Sequence, residues 1–189
     1  MRNAGVGRVL LASLHQGIAD ILPTRLGFYE SWLHAEGLRD GIGLAPLYAV
    51  LSFLRQEGDA YAKITTSAGE YAAEWTVQSM SGFERSVIRA APNWLRTRLV
   101  LRLADRLVQS SYRRGRLVFR VRKNVATLDL KASVFCDVRE PVDHALCGFY
   151  AAAIRRLCAL FNVPARIEVT ACRAMGGPSC AMTMTVEQG

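Results

Sequence analysis

Two hydrophobic periods divide the chain. Over the first 110 residues apolar side chains return every three or four positions, the spacing of one helix face. Val9, Leu10, Leu14, Ile18, Ile21 and Leu22 mark a first helix. Pro23, suited to a first helical turn, opens a second, with Leu26, Tyr29, Trp32 and Leu33 on its apolar side and an end near Gly37. Residues 41–43, Gly-Ile-Gly, form a break. Residues 44–54 predict a third helix closed by Gly58, and residues 65–79 a fourth carrying Ala68, Tyr71, Ala72 and Trp75. Asn93 is placed to cap a fifth, with Leu95, Leu99, Val100, Leu103 and Leu107 along one side.

After Gly115 the period changes to two. Leu117, Phe119 and Val121 alternate with Arg116, Arg120 and Arg122; after a turn at Asn124, Ala126, Leu128, Leu130, Ala132 and Val134 alternate with Thr127, Asp129, Lys131 and Ser133. That pattern predicts an antiparallel hairpin with one buried face, its second strand closing at Cys136. Pro141 predicts the start of a helix reaching about residue 161, striped by Val142, Leu146, Phe149, Tyr150, Ala153 and Leu157. Ile167 and Val169 mark a third strand, and Met182, Met184 and Val186 a fourth. The order predicts one α+β domain over 1–189: a mainly helical part (1–112) and a β-β-α-β-β part (113–189), giving a four-stranded antiparallel sheet covered by helices on one face.

The 189 residues, 51% hydrophobic and 21% charged, suit a single globular domain and exclude disorder. No apolar stretch approaches the ~20 residues of a membrane span. The apolar patch at the N-terminus is broken by His15, Gln16 and Asp20, so it predicts a helix rather than a signal peptide and a cytoplasmic protein. The net charge of +8 changes this picture because it is local: residues 85–123 hold twelve basic residues and one acid. Arg98, Arg102 and Arg106 recur every four residues and form a basic stripe, a candidate anion site for a carboxylate-bearing ligand or an anionic surface, with peripheral membrane contact one form of it. The alternative is a solvated arginine face. Nucleic acid is not expected, because no helix-turn-helix, zinc-finger or RNA-binding signature accompanies the charge.

Five cysteines lie within residues 136–180. An odd number in a cytoplasmic chain argues against a disulfide framework. Cys172 and Cys180 flank a tight connection between two strands, Cys136 ends a strand, and Cys147 falls in the first turns of the next helix. Cys136, Cys147, Cys172 and Cys180 are therefore candidate ligands of a tetrahedral zinc; four protein ligands would make the site structural. The competing reading is four small buried hydrophobes. Parity is an obstacle, since Cys180 shares a face with Met182 while Cys172 is out of phase with Ile167 and Val169; a bulge is required. Cys158, about 16 Å along the helix from Cys147, belongs to the core. His144 is a surface residue that could substitute as a ligand.

The stretch from Cys147 through Gly-Phe-Tyr-Ala-Ala-Ala, and that from Glu168 through Cys172-Arg-Ala-Met-Gly-Gly-Pro-Ser-Cys180, resemble the 4-vinyl reductase domain family over about residues 115–186. Two positions depart from its pattern: Gly177 stands where the family has Asp, and Glu168 is one residue further from Cys172. The resemblance implies a fold like the TRAPP vesicle-tethering subunits, a homodimer, a zinc held at Cys147, Cys172 and Cys180 with Cys136 in the place of an acidic ligand, and a role in bacteriochlorophyll-type pigment synthesis beside a partner enzyme.

No dinucleotide fingerprint, Walker sequence or nucleophile elbow is present, so a self-sufficient reductase lacks a motif for holding its hydride donor. The expected function is therefore binding of a hydrophobic or tetrapyrrole-like ligand. Tyr29, Trp32, Tyr48, Phe53, Tyr71, Trp75, Phe149 and Tyr150 are candidates to line its cavity, against the plainer reading that they are core. A vinyl reductase using an external donor and a tethering-type scaffold without small ligand are the alternatives.

Overall fold

The computed structural model describes residues 6–33 and 44–187. Helix α1 (Arg8–Ile21) turns Leu10, Leu14 and Ile18 inward. A 3-10 turn at Pro23–Arg25 leads into α2 (Leu26–Glu30), which is shorter than expected. The chain turns at residues 31–33; the predicted end near Gly37 and the break at 41–43 lie outside the described residues. Helix α3 (Leu44–Arg55) matches its prediction. Helix α4 (Asp59–Ser79) begins earlier than its apolar stripe, directly after Gly58, whose φ of 59° suits glycine.

Helix α5 (Gly82–Ala90) was not anticipated. Its signal was a capping box: the Ser81 hydroxyl accepts from the Glu84 N–H while the Glu84 carboxylate accepts from the Ser81 N–H. Helix α6 (Asn93–Ser111) follows, with Pro92 rather than Asn93 in the extended N-cap conformation. Proline lacks the N–H that a helix start would leave unpaired, and it frees Asn93 to be helical.

The sheet contains β1 (Leu117–Arg122), β2 (Val125–Leu130), β3 (Ala165–Ala171) and β4 (Cys180–Val186), in the order β1-β2-β4-β3 with every pair antiparallel. Leu128 sits between Phe119 and Met182, and Met184 between Ala126 and Ile167, so one face is continuously apolar. Helices α6 and α7 (Gly148–Leu160) cover that face. The other carries Arg120, Thr127, Glu168 and Thr185 in solvent.

Two sequence expectations fail around the first cysteines. Strand β2 ends at Leu130, and Val134–Cys136 is a 3-10 turn. Val134, Phe135 and Cys136 are all buried, which a strand alternating between two faces cannot achieve. Helix α7 begins at Gly148, not Pro141, and Cys147 is its N-cap. The segment before it is fastened elsewhere: the Val142 N–H donates to the Ala174 carbonyl at 2.7 Å, linking it to the β3–β4 connection.

Helix α4 runs between α1 and α7, and the approach on both sides depends on glycine. A Cβ at Gly17 would lie 2.8 Å from the Ile64 carbonyl oxygen, and one at Gly69 only 2.2 Å from that of Phe149. Backbone cannot yield as a side-chain end can, so Gly69→Ala must push α4 and α7 apart. The expected cost is about 2–3 kcal/mol, read by urea denaturation; an unchanged midpoint would mean that the helices separate freely.

Candidate functional site

Three segments deliver four sulfurs to one point. The 3-10 turn brings Cys136, the N-cap of α7 brings Cys147, and the β3–β4 hairpin brings Cys172 and Cys180. The required bulge is present: the register slips by one between Val169 and Ala171, so Ala171 faces Ala181 instead of Cys180. This slip turns Cys172 onto the buried face beside Cys180.

The sulfurs of Cys136 and Cys147 are 3.3 Å apart, those of Cys136 and Cys172 3.6 Å, and those of Cys147 and Cys172 3.2 Å. All four lie within 4.8 Å of one another and all four residues are buried. A tetrahedron with metal–sulfur bonds of about 2.3 Å has sulfur–sulfur edges of about 3.8 Å. The donor set and its spacing fit zinc.

The electrostatics follow from the crowding. Hydrogen bonding to Cys136 and Cys180, with burial, pushes the Cys147 thiol far up. At Cys136 the help of Cys147 is outweighed by Cys180 and by burial, so it too is pushed up. Cys136 and Cys147 hold Cys180 down, assisted by the Arg173 N–H, which donates to its sulfur at 3.4 Å. Four thiolates in so small a space need a metal to balance their charge. The N-terminus of α7 also points a partial positive charge toward this region. Cys158 is buried away from the cluster, and burial alone raises its thiol to about 12. His144 is exposed and pairs with Asp143 at 2.6 Å, so it is not among the grouped donors.

The eight aromatic candidates are distributed over separate places. Phe149 and Tyr150 are fully buried with Phe135, ring centroids 4.9–5.7 Å apart, below the cysteines. Tyr29 is buried and donates to Glu57, which also receives Arg25 at 2.5 Å. Trp32 and Phe53 join Phe28 in a half-exposed cluster. Tyr71 stacks on Trp75 along α4 and donates to Asp20. Tyr48 opens onto a cleft of about 610 Å³ lined by Ser52, Arg55, Asp137 and Arg139, and donates to Asp137 at 2.6 Å.

Sequence reasoning missed the polar groups behind that cleft. The Arg55 guanidinium donates to the Phe135 carbonyl at 3.0 Å while its Nε is buried without a partner. The hydroxyls of Tyr61 and Tyr150 are likewise buried and unpaired. Tyr61 feels Arg55, Cys136 and Cys147, and burial drives its hydroxyl pKa up. The available signal was spacing: Tyr48, Ser52 and Arg55 fall on one face of α3. The stripe of Arg98, Arg102 and Arg106 is exposed along α6 as its heptad-like leucines require, with Arg98 over the Trp94 ring at 5.7 Å.

No protein-family model and no curated protein matches the sequence. Solved structures do match its fold. An H-NOX protein from S. oneidensis in the Fe(II)NO ligation state aligns with a TM-score of 0.58 at 11% identity, covering 96% of this chain and 99% of that one. The phenol-responsive sensory domain of the transcription activator PoxR with phenol gives 0.50 at 14%, covering 77% and 75%. A trafficking protein particle complex subunit 3 from Naegleria fowleri, covalently bound to palmitic acid, gives 0.51 at 10%, covering 85% and 92%. The helical layer on a four-stranded antiparallel sheet is thus a TRAPP-like fold, as expected.

The geometry predicts close to one zinc per chain by elemental analysis of protein purified without chelators. Cys172→Ser or Cys180→Ser should lose the metal and about 3 kcal/mol or more of stability, roughly 10 °C in Tm. Cys158→Ser should keep the metal. Metal-free protein that melts like the Cys172→Ser variant would exclude the assignment.

Proposed function

We propose that residues 1–189 form one small-molecule-binding domain of the 4-vinyl reductase type, pinned by a structural four-cysteine zinc, and not a self-sufficient enzyme. The observation that carries this reading is Arg55 in the wall of the cleft at Tyr48, its Nε buried without a partner and the buried Tyr61 hydroxyl close to its guanidinium. A buried polar atom without a partner costs about 1–3 kcal/mol, and native interiors rarely keep two of them side by side. A ligand oxygen entering past Arg55 would satisfy them. The solved neighbours support the class: one is described with phenol, one with palmitic acid and one in an iron–nitric oxide state.

The finer assignment is a substrate carrier or accessory factor for bacteriochlorophyll-type pigment synthesis, acting as a homodimer beside a pigment enzyme; it rests on the sequence resemblance alone. Phe135, Phe149 and Tyr150 pack ring to ring, so a tetrapyrrole would lie in the cleft with a carboxylate toward Arg55 or Arg139 rather than between helices and sheet.

Extraction of the purified protein followed by mass spectrometry should yield a bound small molecule, and phenols, fatty acids and chlorophyllides are the probes for titration. Tyr61→Phe separates this reading from a tethering-type scaffold. Deleting an unpaired hydroxyl should leave the free protein equally stable, within about 0.5 kcal/mol, or more stable, yet weaken the bound probe about fivefold to tenfold. Loss of stability in the free protein, with no probe binding, would favour the scaffold.

A further inference from the structure

The strongest unexplained surface lies on α5 and α6, away from the cleft and the cysteines. Helix α5 buries only Ile88, while Phe83 is 79% exposed and Val87 47%. Both line an open groove of about 230 Å³ floored by Leu99 and Leu103 and edged by Arg102 and Arg106. Where the chain enters α6, Trp94 is 63% exposed beneath Arg98. A folded domain has no internal reason to hold a phenylalanine and a valine in water over one groove, and exposed apolar groups of this kind mark contact surfaces; Trp94 borders a neighbouring cleft with Arg98, Val121 and Lys123.

The charge decides the occupant. Arg98, Arg102 and Arg106 stand among these apolar side chains, and Arg85 and Arg89 occupy the polar side of α5. The acids nearby are engaged: Glu84 closes the capping box and lies 3.8 Å from Arg106, and Asp105 accepts from the Leu117 N–H at 2.9 Å. A second copy of this corner would bring arginines against arginines. A nucleic acid would use the arginines but has no use for Phe83 and Val87 in the groove. An amphipathic helix with aromatic and aliphatic residues on one side and arginines on the other suits the interface of a membrane rich in anionic lipid.

We propose that the α5–α6 corner docks on an anionic lipid bilayer, with Phe83, Val87 and Trp94 entering the headgroup region and the Arg98–Arg102–Arg106 stripe contacting lipid phosphates. The docking is peripheral: no helix among the described residues is long and apolar enough to cross a membrane. It does not depend on the small-molecule site.

The test is cosedimentation of the full chain with vesicles of phosphatidylcholine alone and of phosphatidylcholine with about one-third phosphatidylglycerol. At low salt the protein should bind only the anionic vesicles, with a blue shift of tryptophan emission that Trp94→Phe removes. Changing Arg98, Arg102 and Arg106 together to Gln should weaken binding about a hundredfold, and salt above about 0.5 M should have a similar effect on the wild type. Phe83→Gln with Val87→Gln should weaken it at least about tenfold. The altered residues are exposed, so melting curves and zinc content should be unchanged in both variants. Failure to bind anionic vesicles overturns the proposal. So does binding that survives Phe83→Gln with Val87→Gln, or self-association that this double variant abolishes. Duplex DNA binding that outcompetes the vesicles would reassign the corner to nucleic acid.

Discussion

Four sulfur atoms cannot share so small a dry space as independent groups. Those of Cys136, Cys147 and Cys172 are already 3.2–3.6 Å apart, all four lie within 4.8 Å of one another, and their charges cannot accumulate unaided. This crowding ties a turn after β2, the start of α7 and the β3–β4 hairpin to a single point. Neither the turn nor the segment between it and α7 has regular secondary structure to hold it.

The interior on the helical side is ordered by a different rule. Helix α4 lies against α1 and α7 with backbone nearly touching backbone, and Gly17 and Gly69 make that possible. Close helices leave little room between them, and the cleft proposed for a small molecule lies instead at the margin where α3 meets the segment after β2. The polar cleft and the basic corner share no residue. The proposed ligand cleft, on α3 and the segment after β2, and the proposed docking corner, on α5 and α6, can therefore vary separately.

The alternation of Leu117, Phe119 and Val121 with arginines, and of Met182 and Met184 with threonines, made the sheet legible, because a half-buried strand writes its two faces directly into the sequence. The long helices were legible for the same reason. Short elements were not. Helix α5 has too few turns for a stripe to stand out, and only Ser81 and Glu84 announced it. The segment 141–147 looked helical because Val142 and Leu146 have helical spacing, whereas the Val142 N–H is committed to the Ala174 carbonyl. The grouping of the cysteines was legible as a hypothesis because strand parity named the missing bulge. The cleft was not, since Tyr48 and Arg55 on α3 meet Asp137 and Arg139 after β2 only in the tertiary fold.

The bulge between Val169 and Ala171 has a consequence for how the hairpin finds its pairing. A shift of one residue in an antiparallel hairpin exchanges its inner and outer faces, which the apolar face formed with Met182 and Met184 already resists along most of β3. Here the regular pairing along the whole of β3 would aim Cys172 at solvent, leaving only three sulfurs inside. The misaligned hairpin and the correct one differ little in backbone hydrogen bonds, but only one completes the quartet. The cysteine cluster thus works as a proofreader of the hairpin's last pairs, past Val169, where no large apolar pair remains to set the alignment.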